Sequence, residues 1–276
     1  MSKRDKPEEE TARTIISRTL HAPVTTHDDG SRPSMYDLSI QLPDGEVGAV
    51  EVTMAADREA VQLSRLVNQE KRWIEPMLEA AWHVSALPQA SGKRLFAELP
   101  QLLAEMEERG ASPFISIEHD QGNPDPWMKR AFELRLESVN RSDTTDYPGA
   151  IYISVEGREL AGYVPQTGDA VAEWIGDFLA GEERADIRKK LGLADARERH
   201  AFVWVPLFHT APWAVLGALT ASPVPLPTKP PQLPKEVTHV WVMSTWGERS
   251  GLRWSRTAGW SRFDDERESS SASRTT

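Results

Sequence analysis

The sequence predicts an α/β protein, a mixed β-sheet with flanking helices. Three observations carry this. Runs that alternate apolar and polar residues, such as Tyr36–Leu42 and Val50–Met54, read as strands with one buried face. Runs with apolar residues at three- and four-residue spacing, such as Asp57–Leu78, Lys93–Arg109 and Asp169–Ala180, read as amphipathic helices. The two kinds interleave along the chain, as they do in α/β folds.

Taken in order, Thr11–Leu20 is a helix with Ile15, Ile16 and Leu20 on one side. A hairpin follows over residues 35–54. The helix Asp57–Leu78 presents Val61, Leu63, Leu66, Val67 and Ile74, and Trp82–Leu87 is a short strand. In the helix Lys93–Arg109, Pro100 is expected to break or kink the run, because proline lacks the N–H and clashes with the preceding turn. Phe114–Glu118, Phe132–Val139 and Ile151–Val155 read as strands, and the Gly- and Pro-rich Gln121–Trp127 as a loop. Asp169–Ala180 and Glu182–Leu193 are helical, and Ala201–Val205 is a buried strand. His239–Thr245 and Leu252–Arg256 form a final hairpin.

These readings predict a disordered N-terminus over residues 1–10 and one α/β domain over 11–221. A Pro-rich extended linker over 222–236 then leads to a C-terminal hairpin, 237–263, packed on the main domain, and a disordered tail, 264–276.

With 32 Lys and Arg against 42 Asp and Glu, the net charge is −10, so any nucleic-acid contact needs a local basic strip. The absence of Cys excludes disulfides, thiol catalysis and thiolate zinc sites. The charged first residues and the lack of a run near the roughly 20 apolar residues of a membrane span predict a cytoplasmic protein without membrane contact. There is no phosphate loop, Rossmann fingerprint or Gly-x-Ser-x-Gly context. The seven His residues show no metal-ligand spacing, and each is expected at a surface or a strand end.

The hairpin carries the chemistry. Pro43-Asp44-Gly45 forms a three-residue loop that pairs Leu42 with Glu46, and counting back places Asp37 opposite Glu51. Facing carboxylates repel unless a proton or a cation lies between them, and their oxygens suit Mg²⁺ or Mn²⁺. The plain alternative is the wet face of an antiparallel sheet, where Asp and Glu are ordinary.

A helix, an Asp-bearing strand, a Glu-bearing strand, a helix and a further strand over residues 11–87 resemble the core of the PD-(D/E)XK nuclease superfamily, the restriction-endonuclease-like fold. Asp37 matches the first acidic position and Glu51 the second. The family lysine falls on Thr53, a departure that leaves the charge to be supplied from elsewhere, with Arg58 as one candidate. Gln69-Glu70-Lys71-Arg72-Trp73 is similar to the Gln-x-x-x-Tyr element of some members. The resemblance implies divalent-metal-dependent cleavage of DNA or RNA, with Asp37 and Glu51 as metal ligands, Thr53 at the catalytic lysine position and Gln69 near the nucleic acid. The rival expectation is a non-catalytic protein-binding or regulatory module that keeps the fold; the missing lysine and the acidic charge favour it.

The C-terminal segment interleaves aromatic and basic residues. Trp246, Arg253, Trp254 and Arg256 are expected either to form a stacking platform for single-stranded nucleic acid or to be a packing hairpin with wet arginines.

Overall fold

The computed structural model describes residues 6–67, 73–110, 114–116, 126–142, 147–155, 167–206, 210–246 and 250–264. The chain divides into two compact units: residues 1–55, 161–207 and 211–276 form one, and residues 56–160 with 208–210 the other.

The first unit opens with α1 (Pro7–Leu20), β1 (Val24–Thr26), β2 (Leu38–Gln41) and β3 (Val47–Met54). The chain then builds the second unit from α2 (Arg58–Val67), β4 (Trp73–Ile74), β5 (Ala81–Ala86), α3 (Gly92–Glu108), β6 (Phe114–Ser116), α4 (Pro126–Glu133), β7 (Leu136–Ser142) and β8 (Ala150–Val155). It returns to the first with α5 (Asp169–Ala180), a 3₁₀ turn over Glu182–Arg184, α6 (Ala185–Leu193), β9 (Glu198–Val205) and α7 (Trp213–Leu219). Strands β10 (His239–Ser244), β11 (Ser250–Ser255) and β12 (Gly259–Asp264) complete it.

The first unit holds a seven-stranded mixed sheet in the order β1-β2-β3-β9-β10-β11-β12. Its centre, β3-β9-β10, is parallel and its flanks are antiparallel. Strand β9 is buried on both sides, as a central parallel strand must be. Ala201, Val203 and Val205 meet Val171 and Ile175 of α5, Leu191 of α6 and Val215 of α7. Phe202 and Trp204 point the other way, into a core with Ile15 and Ile16 of α1, Leu38, Ile40 and Trp241. The unit is therefore three layers, with α1 on one face and α5–α7 on the other. The second unit has a five-stranded sheet, β4-β8-β5-β7-β6, in which Trp82, Val84, Ile151 and Ile153 pack on Leu95, Leu99, Leu102 and Leu103 of α3.

Several expectations are corrected. Residues 11–221 are not one domain, because Ala56–Leu160 closes around a core of its own. The helix expected from Thr11 begins at Pro7, whose missing N–H is harmless at a first position, and Glu8–Glu10 occupy the first turn, where the helix dipole favours acids. Pro100 lies inside α3 without ending it, its side held by the buried Leu99, Leu102 and Leu103. The strand expected from Phe132 starts only at Leu136, after α4 and a turn in which Arg135 takes φ 59°. The Pro-rich 222–236 is a strap rather than a free linker. Val224 is buried, Thr228 N–H donates to Asp169 Oδ1 at 2.6 Å, and a Cβ on Gly168 would meet Pro225 O at 2.4 Å. The C-terminal strands are three, and they extend the main sheet from β9 through β10 instead of lying on it as a hairpin. The expected tail beyond Asp264 lies outside the described residues.

Candidate metal centre

The turn between β2 and β3 closes as its sequence requires. Gly45 takes φ 85°, its N–H donates to Leu42 O at 3.0 Å, and Leu42 N–H donates to Glu46 O at 2.9 Å. Regular pairing ends at Leu38 opposite Val50, one step short of Asp37 and Glu51. There the ladder departs from regularity. Asp37 N–H donates to Val50 O at 3.0 Å, and Asp37 Oδ2 accepts the N–H of Val52 at 2.8 Å, so a side-chain carboxylate replaces a main-chain acceptor.

Asp37 and Glu51 are both buried, at 4% exposure. Glu51 Oε1 accepts from Lys190 Nζ of α6 at 2.6 Å, while Glu51 Oε2 is buried with no hydrogen-bond partner among the described residues. Burial, then the Asp37 charge, pushes Glu51 up to about 8 against the pull of Lys190. Burial also raises Asp37, opposed by the Val52 N–H. Burial works to lower the Lys190 pKa, but the hydrogen bond and charge of Glu51 outweigh it and hold the ammonium protonated. The start of α1 adds Lys6, bonded to Glu9 Oε1 at 2.6 Å, and both bear electrostatically on Asp37. The site thus concentrates carboxylates in a poorly solvated place and leaves one oxygen unsatisfied. A divalent cation with oxygen ligands answers both costs.

Thr53 sits two residues beyond Glu51 on the same side of β3, half-buried and level with Val203. The cation near Glu51 comes instead from Lys190, distant in sequence. The side chain of Arg58 and the whole of Gln69 lie outside the described residues. The helix expected over Asp57–Leu78 is corrected: α2 runs from Arg58 to Val67, and Trp73–Ile74 forms the strand β4; these elements and the strand expected at Trp82–Leu87 belong to the second unit. The strand that lies parallel beside β3 is β9, reached through α5 and α6.

The C-terminal residues do not form one strip. Trp254 is a core residue at 8% exposure, packed with Val240, Leu252 and α7 residues. Arg253 points to the opposite face and lies over the Trp241 ring, 4.9 Å from its centroid. Trp246 is 60% exposed at the end of β10, and Arg256 is exposed in the β11–β12 turn. Alternation along a strand separates residues that the sequence places side by side.

One histidine cluster was not expected. Parallel pairing sets His239 level with His200, and Glu198 lies two residues before His200 on the same face. The donor atoms of Glu198, His200 and His239 all fall within 4.8 Å of one another, and the cluster can hold a metal ion. Its hydrogen bonds define its resting state. Trp241 Nε1–H donates to His200 Nδ1 at 3.2 Å; an indole N–H only donates, so the His200 proton is on Nε2, facing Glu198 Oε2 at 3.2 Å. An ion bound through that nitrogen would displace this proton. Burial lowers the His200 and His239 pKa values, while the His200 hydrogen bond lowers that of Glu198, so the carboxylate stays ionised between neutral rings.

Comparison with family models, with curated protein sequences and with solved structures gives no match. No helix among the described residues is long and apolar enough to cross a membrane.

Proposed function

We propose that this chain is a divalent-metal-dependent phosphodiester hydrolase acting on DNA or RNA, or a diverged relative of one, with its centre at Asp37, Glu51 and Lys190. The observation that carries the reading is the buried Glu51, with Oε2 unpartnered among the described residues and Oε1 on Lys190 at 2.6 Å, beside a second buried carboxylate. Asp37 and Glu51 would hold Mg²⁺ or Mn²⁺; such an ion polarises a phosphate and lowers the pKa of the attacking water. The residues supply the rest. The Val52 N–H fixes the Asp37 carboxylate, and Lys190 orients Glu51. The Lys190 ammonium is also placed to offset negative charge that develops on a phosphate at this centre, the charge Thr53 cannot provide.

A non-catalytic binding module is the second reading. It is favoured by one observation: Asp37 and Glu51 already have protein partners in Val52 N–H and Lys190, so the site can stand as a structural ion pair. Calorimetric titration with Mn²⁺ and cleavage assays on single- and double-stranded DNA and RNA separate the two. The hydrolase reading expects binding that is lost in Glu51→Ala, and metal-dependent cleavage that is lost in Asp37→Ala and Glu51→Ala. Clean protein that neither binds Mn²⁺ nor cuts any of these substrates sinks it.

A further inference from the structure

We infer that a second pocket, at the start of β9 and β10, binds the phosphate group of a nucleotide or nucleic acid. This inference goes beyond the proposed hydrolase centre and does not rest on it. The pocket is a concavity of about 650 Å³, within the usual range for ligand sites. Arg197, Arg199, Lys235 and Arg256 line it, with the hydroxyl-bearing Thr238 and Thr257 between them. Four cations meet at one concavity in a chain of net charge −10.

Their partners show which of these charges are free. Arg197 is held by the β2–β3 turn, pairing with Asp44 and with Glu46. Arg199, Lys235 and Arg256 form no ion pair with a carboxylate among the described residues. Arg199 Nη2 donates to Lys235 O at 3.1 Å, which fixes the guanidinium, while its buried Nε has no partner among the described residues. Glu198, the acid on the pocket wall, is already engaged: His200 Nε2 lies 3.2 Å and His239 Nε2 3.6 Å from its Oε2, and Arg197 lies 3.6 Å from its Oε1. Like charges gathered in a cleft repel one another and focus a positive field, and a bound anion relieves both.

The chemistry of the wall selects the anion. Two arginines offer planar forks that match a tetrahedral or carboxylate oxyanion, and a lysine adds a point charge. Val237 is the one apolar residue in the described lining, so the directional contacts available to a ligand are charged and hydroxyl groups. A multiply charged phosphate fits this lining better than a fatty or aromatic carboxylate. The pocket is also distinct from the carboxylate centre. Glu198 is level with Gly48, and Glu51 lies three residues further along β3, about 10 Å at strand rise.

The test is calorimetric titration in chelator at low salt, with three probes: inorganic pyrophosphate, adenosine diphosphate and a short thymidine oligonucleotide lacking terminal phosphates. The variants are Lys235→Ala/Arg256→Ala, both at exposed side chains, and Arg199→Gln. At least one probe is expected to bind, with affinity falling as salt rises, and each variant to weaken it about tenfold or more at unchanged melting temperature. Preference for pyrophosphate or the diphosphate identifies a free phosphoester ligand; preference for the oligonucleotide identifies backbone phosphate. Asp37→Asn should leave the affinity unchanged whether or not the hydrolase reading holds. Absence of binding by all three probes overturns the inference. So does undiminished binding in the folded double variant, or loss of binding in Asp37→Asn, which would place the anion at the other centre.

Discussion

A carboxylate at 4% exposure with one oxygen unpartnered among the described residues is expensive, and at Glu51 the cost shows as a pKa pushed upward by burial. Its folded pKa of about 8 lies above the ordinary 4.5, so the native state holds a proton where the unfolded chain has released it. The stabilisation is full below 4.5 and is lost as pH rises through about 8. Urea midpoints of metal-free protein in chelator should therefore fall over that window, by roughly a few kcal/mol in stability, and Glu51→Gln should flatten the slope. An unchanged slope in the variant would mean that Glu51 is not the titrating group. Lys190→Ala removes the ammonium that bonds Glu51. If the centre is catalytic, cleavage should drop by about a hundredfold or more, with Mn²⁺ binding retained by the two carboxylates. Cleavage at the wild-type rate would exclude Lys190 from the chemistry. The nearness of Asp37 and Glu51 was legible in the sequence, since a three-residue turn fixes the hairpin register as far as Leu38 opposite Val50, the residues next to them. Lys190 was not, because its place depends on how α6 returns over β3.

At the scale of elements, the β2–β3 hairpin depends on Gly45 for its backbone alone. Its φ is 85°, and a Cβ there would meet nothing within 4 Å. Gly45→Ala should then cost about 1 kcal/mol by chemical denaturation, with no loss of packing; a cost several times larger would reveal a contact the geometry lacks. The β10–β11 pair makes the opposite demand. Trp254 is buried against α7 residues, so Trp254→Ala should cost about 3–5 kcal/mol and lower the melting temperature. An unchanged melting temperature with lost affinity for single-stranded DNA would restore the stacking platform. The aromatic and basic alternation that suggested the platform was real in the sequence. What it lacked was the sheet's two-sidedness, which sends Arg253 to the Trp241 face and Trp254 to the α7 face.

For the whole molecule, the organising fact is the placement of residues 56–160 between β3 and α5, the elements of the first unit that precede and follow it in the chain. Because the second unit has its own sheet and core, an isolated fragment of residues 56–160 should unfold cooperatively on heating, followed by circular dichroism. A featureless melt would show that its core is not self-sufficient. By itself the sequence determined what local rules control. Period-two and period-3.6 patterning set most strands and helices, including α5 at Asp169–Ala180, and turn chemistry set the β2–β3 register from Gln41 opposite Val47 to Leu38 opposite Val50. The tertiary structure decided everything that depends on parallel pairing and long crossovers. It set β9 beside β3, brought Lys190 to Glu51, and made His200 meet His239. The physical reason is the same in each case. A hairpin closes over a few residues and carries its register in its own sequence. A parallel neighbour is selected by the burial of whole faces across a crossover, and no short stretch of chain encodes that choice.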